Sequence, residues 1–137
     1  MHNIFDKKDF YNLMLRDRLP IARASFAIER RRGVVDFFST PLGVVLRADV
    51  GVGIALKEIK IYDRKRGDFF IQNVFCGENL IKIDEGVFVG VSSRVQIEDV
   101  IDREILIKVE GAGIVARVEM MPKREREVDK FAHLVYN

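Results

Sequence analysis

Between residues 34 and 121 apolar and polar side chains alternate with a period of two, in short runs separated by turn-forming residues. Extended strands are the structures that bury one face at that period. The chain therefore reads as mainly β, with charged flanks whose apolar residues recur at helical spacing. Strands are expected over residues 34–39, 44–50, 54–62, 69–75, 80–84, 87–91, 104–110 and 114–121. Residues 95–101 suit either a strand or a helical turn. Residues 21–32 are ambiguous, and the alternation of Ala22, Ala24, Phe26 and Ile28 favours a strand. Turn signals at roughly 8–12-residue spacing point to an antiparallel β-sandwich or jelly-roll-like barrel with short N- and C-terminal helices.

A chain of 137 residues suits one domain and can bury a core without metal or disulfide staples. We divide it into an N-terminal helical arm (1–19), a β body (34–121) and a C-terminal amphipathic helix (122–137). The first helix is closed by Pro20 and carries a short stripe of Phe10, Leu13 and Met14, so packing must hold it. In the last, Val128, Phe131, Ala132 and Val135 fall at i, i+3, i+4 and i+7, an apolar face that something must cover. The helix can lie back on its own sheet and shield an edge, or it can dock on a second copy; these four residues are the candidate interface, with a second copy of the chain as the expected partner and a dimer as the simplest assembly.

Composition narrows the function classes. The formal charge of +2 makes a weak overall field that neither demands nor excludes nucleic acid. The single cysteine, Cys76, excludes an internal disulfide and suits a reducing, cytoplasmic or intracellular setting. It precedes Gly77 at the end of a Phe-rich strand and is expected to be buried. The first twenty residues lack the apolar core of a signal peptide, and no apolar run is long enough to span a bilayer. One Thr, two Gln and four Ser among many charged residues lean toward the composition of thermophile proteins.

No catalytic constellation emerges. The histidines, His2 and His133, stand at opposite ends of the chain, and no Cys or His spacing suits a metal. Ser92 and Ser93 have no nucleophile elbow around them, and Gly51 and Gly53 lack the third glycine and helix of a phosphate loop. No cofactor motif is present. The acidic residues Asp84, Glu85, Glu98, Asp99, Asp102 and Glu104 read as solvated turn and edge charges.

Three basic clusters are the candidate anion or nucleic-acid sites. They are Arg30, Arg31 and Arg32; Arg64, Lys65 and Arg66; and Lys123, Arg124 and Arg126. Converging on one face, they would attract phosphates. Acidic neighbours interleave the last two, and no aromatic platform accompanies them. Arg30-Arg31-Arg32 followed by Asp36, Ser39 and Gly43 resembles the cyclic-dinucleotide signature of PilZ barrels. That family has Asp/Asn-x-Ser-x-x-Gly, whereas this chain has Asp-x-x-Ser-x-x-x-Gly. The altered spacing turns the side chains to opposite faces of a strand, so the family's ligand is not carried over. The reading left by elimination is a non-catalytic, self-associating structural or interaction module, of the kind that builds coat or capsid-like assemblies. The alternative is a nucleic-acid or anion binder.

Overall fold

A computed structural model describes residues 7–63 and 68–122, with side chains left out of account at 63 and 68–74. One helix, α1 (Lys7–Leu15), precedes nine strands: β1 (Ala22–Ile28), β2 (Arg31–Thr40), β3 (Gly43–Asp49), β4 (Leu56–Asp63), β5 (Asp68–Cys76), β6 (Leu80–Asp84), β7 (Val87–Ser92), β8 (Glu104–Val109) and β9 (Ala112–Met120). All neighbours pair antiparallel in one sheet ordered β5-β4-β8-β9-β1-β2-β3-β7-β6. The sheet curls into a nearly closed, barrel-like form. Phe75 of β5 reaches across to β7, where a Cβ added to Gly90 would sit 2.7 Å from its ring.

The strand favoured by the alternation of Ala22, Ala24, Phe26 and Ile28 is present and extends the sheet ahead of residue 34. This strand, β1, pairs with β2 along its whole length, from Ala22↔Phe37 to Ile28↔Arg31. The two residues between them, Glu29 and Arg30, both have positive φ, 47° and 73°. That is the backbone of a two-residue hairpin turn usually built from Asn-Gly, and its unusual residues hid the turn. Residues 95–101 form no strand. They contain a 3-10 turn, Ile97–Asp99, and insert Val95 and Val100 into the core.

Strand alternation produces two apolar layers. Facing inward are Val35 and Phe37 of β2, Leu46 of β3, Ile59 and Ile61 of β4, Ile105 and Ile107 of β8, and Val118 of β9, all essentially inaccessible to water. Each such side chain contributes ~1.5–3 kcal/mol relative to exposure. Val87 and Val89 share a face as their spacing requires, but it is the outer one. With Phe38, Val45 and Ile83 they form a second cluster, closed by Leu15 of α1 and flanked by Tyr11 and Met14. This contact holds a helix too short to persist alone. Arg18 finishes it, its Nε donating to the Met14 carbonyl at 3.1 Å and its backbone N–H to Leu15 at 3.2 Å. The opposite side of α1 leaves Phe10 and Leu13 about half exposed.

Among the described residues one acid is buried. Asp36 points outward from β2 but is buried, and Arg23 on β1 grips it through two bonds, Nε–Oδ1 at 2.6 Å and Nη2–Oδ2 at 3.1 Å. The paired geometry offsets the desolvation that would otherwise make a buried carboxylate costly.

Chain direction defines two ends of the sheet. The 29–30, 85–86 and 110–111 turns and the 50–55 connection lie at one, here called the upper end. The 41–42 turn, the 93–103 connection, the strand ends Asp63 and Asp68 and the exit at Met121 lie at the lower. At the upper end Val50 N–H donates to the Gly86 carbonyl at 2.8 Å, and Gly86 has φ +71°. A Cβ there would fall on the Gly51 carbonyl, a backbone group that cannot rotate away. Gly86→Ala is therefore expected to lower unfolding stability by about 2–4 kcal/mol, read as a lower urea midpoint. An unchanged midpoint would show that the two turns do not pack as described.

Candidate interaction site

The sheet has one weak seam. β1 pairs with β9 through only three residue pairs, Ala22↔Met120, Arg23↔Glu119 and Ala24↔Val118. Just below them the Met121 N–H donates to the Ile21 carbonyl at 2.8 Å. Above Ala24 the strands part. β1 continues to Ile28 on β2 alone, and β9 continues up to Ala112 on β8 alone. On β1 the Phe26 ring lies over Gly33 of β2, directly opposite, so its bulk serves the β2 side and leaves the β9 side open.

Between the parted strands is a cavity of ≈ 510 Å³, within the range of sites that take a small ligand or a short peptide segment. β1 and its turn supply Ala27, Ile28 and Glu29. The connection into β4 supplies Gly53, Ile54 and Ala55, and the β8–β9 hairpin supplies Val109, Glu110, Gly111, Ala112 and Ile114. Two tethers fix its floor. Arg31 Nη1 donates to the Val52 carbonyl at 2.9 Å, and the Glu110 N–H donates to the Ala55 carbonyl at 3.2 Å. Ile28, Ile54 and Ile114 also pack on the main core, which makes the apolar walls firm.

Both walls carry strand edges. Val109↔Ala112 closes the two-residue β8–β9 hairpin, so even-numbered residues of β9 turn their backbone groups to β8. The bonds Asp102 N–H to Val118 O and Val118 N–H to Arg103 O follow that phase. Gly113 and Val115 consequently aim theirs into the notch. By the same rule Ile28↔Arg31 closes the β1–β2 hairpin, and Ala27 faces the notch from the other side. Neither edge has a strand partner here among the described residues.

The lining can bind, with apolar walls, backbone donors and acceptors, and the carboxyl groups of Glu29 and Glu110. Among the described lining residues there is no histidine, cysteine, serine or cation. Elsewhere, no group of three or more His, Cys, Asp or Glu among the described residues is arranged to hold a metal.

The sequence-derived candidates fall differently. Arg30 is at the tip of the upper turn, Arg31 is tied to Val52, and Arg32 is exposed in β2 on the other strand face from Arg31. The second and third basic clusters, Arg64, Lys65, Arg66 and Lys123, Arg124, Arg126, lie outside the described residues. So do Val128, Phe131, Ala132, Val135 and His133. The described strand ends leading into both clusters are at the lower end, a strand's length from Arg30. Cys76 is exposed, not buried: it ends β5 just before a 3-10 turn and alternates away from Phe75, whose ring fills the core. Asp36 and Ser39 do point from opposite faces of β2, and the Asp36 carboxylate is occupied by Arg23.

No family model, curated protein or solved structure matches this chain. Among the described residues no helix is long and apolar enough to cross a membrane.

The Glu29-Arg30 turn places one of the two notch carboxylates at a backbone cost, since a non-glycine residue in the left-handed region gives up roughly 1 kcal/mol. Glycine's greater unfolded-state freedom offsets much of that strain, so Arg30→Gly is expected to stabilise the fold by about 0.5 kcal/mol or less in chemical denaturation. A clear loss of stability would mean that the Arg30 side chain makes a contact outweighing the strain.

Proposed function

We propose that this protein is a non-catalytic interaction module that associates with itself, a building unit suited to a larger assembly. The observation that carries the reading is the notch between β1 and β9, where two facing strand edges border an open cavity lined by apolar side chains and by polar backbone and carboxyl groups. Open edges favour the addition of another extended or apolar segment, because main-chain bonds supply affinity and the cavity walls supply selectivity. Half-exposed Phe10 and Leu13 on α1 and Val115 on β9 add apolar surface that a solitary molecule leaves in water. Anion binding through the basic clusters has less behind it, since Arg31 is engaged by Val52 and Arg30 and Arg32 take different directions from it.

Sedimentation velocity over a concentration series, from low micromolar to near millimolar, tests the reading. The expected result is a mass above the monomer that grows with concentration. A strict monomer throughout would overturn it.

A further inference from the structure

Resting on that reading, we propose that the segment received by the notch is residues 123–137 of a second copy of this chain. Three observations converge on that occupant. The first is chemical. The notch pairs apolar walls (Ile28, Ile54, Val109 and Ile114) with the carboxyl groups of Glu29 and Glu110. The C-terminal sequence offers Val128, Phe131, Ala132 and Val135, and its first residues carry the cations Lys123, Arg124 and Arg126 and then Lys130, interleaved with Glu125, Glu127 and Asp129, so the charge match to the two carboxyl groups is slight and the apolar residues are the main complement. Opposite charges at the rim set orientation and partner choice more than strength.

The second is the form of the walls. Gly113 and Val115 on one side and Ala27 on the other present main-chain groups without strand partners, at the point where the β1–β9 ladder stops. These residues are exposed, so in the free molecule their main-chain groups are open to water. A segment that enters in extended form, rather than as the helix its apolar spacing suits, exchanges those water contacts for main-chain bonds while its apolar side chains fill the cavity.

The third is position. The chain leaves the sheet at Met121, at the lower end, while the notch opens at the upper end. The closed ladder of Ala22–Ala24 against Val118–Met120 stands between them. A neighbour's segment entering from the upper end meets no such barrier. Val115 lies six positions from Met121 along the strand, roughly 20 Å. The fifteen residues that follow Pro122 span up to about 50 Å when extended, enough to leave one barrel and reach another. Reciprocal exchange then closes with two-fold symmetry, each copy giving one segment and receiving one.

Two variants of the full-length chain test this by sedimentation equilibrium. Val115→Pro removes an N–H that faces the notch and that β8 does not use, which an edge position tolerates. Phe131→Asp replaces a large apolar side chain of the donated segment with a charge. Each alone is expected to weaken association at least about tenfold, with an unchanged far-UV circular dichroism spectrum. Mixed in equal amounts they should recover part of it, because the segment of Val115→Pro molecules is intact and so is the notch of Phe131→Asp molecules. If both variants associate as tightly as the wild type, or if the mixture associates no better than either alone, the inference fails while self-association stands. The second outcome is also the one expected if each segment occupies its own notch. Should Val115→Pro not fold, Phe131→Asp mixed with wild type carries the test. Mixed complexes, each with one productive contact, are the expected result, and their absence overturns it.

Discussion

The seam between β1 and β9 is what makes one molecule of two sheets. On one side β1, β2, β3, β7 and β6 form a continuous ladder, and on the other β9, β8, β4 and β5 form a second. Three residue pairs and one further backbone bond join them. Those few bonds bring Ala22 and Ala24 against Val118 and so merge the two inner faces into a single core. Main-chain bonding at the seam is sparse, so its cohesion rests mostly on the side chains inside. Large buried groups from both halves, Phe37 and Leu46 on one and Ile59, Ile105 and Phe75 on the other, belong to the same cluster.

The same seam accounts for the open notch. A strand pair that twists and curls can satisfy each neighbour only over part of its length. β1 follows β2 into the 29–30 turn and β9 follows β8 into the 110–111 turn, so the hairpins splay where the ladder ends. Apolar residues line the gap because the core continues to its edge, through Ile54 and Ile114. Around Asp36 the sheet solves a related problem with charge. Glu119, Arg23, Asp36 and Arg47 stand in register on four successive strands, with alternating signs across the outer face, just above the point where the exit strand is held.

Much of this fold was legible from period-two alternation, because each strand has one buried face and the pattern is local. Ile105, Ile107 and Val109 against Glu104, Lys108 and Glu110 is a fair example. The irregularity in β4 near Lys57 also showed in the sequence and appears as a register shift between Leu56 and Glu58. Where the reading slipped, the physics was local and atypical. The 29–30 turn uses Glu and Arg in backbone conformations that usually take glycine or asparagine, and Cys76, the last residue of β5, faces away from the core that Phe75 enters. The period-two spacing of Val87, Val89 and Val91 does put them on one face, where Val87 and Val89 join the second buried cluster and Val91 flanks it. The notch had no sequence signal. It depends on which distant strands become neighbours and on where their pairing stops, and Ala27, Gly113 and Val115 look ordinary in the chain. Asp36 did carry a hint, as an acid set between Val35 and the Phe37-Phe38 pair.

Residue-resolved amide hydrogen exchange, measured at high dilution where each copy stands alone, tests the split seam directly. The account predicts alternation along β9: slow exchange at Ile114 and Ala116, whose N–H groups bond to β8, and fast exchange at Gly113 and Val115, whose N–H groups face the notch. Uniformly slow exchange from Gly113 to Ala116 would mean that β1 and β9 close fully, and the notch would not exist.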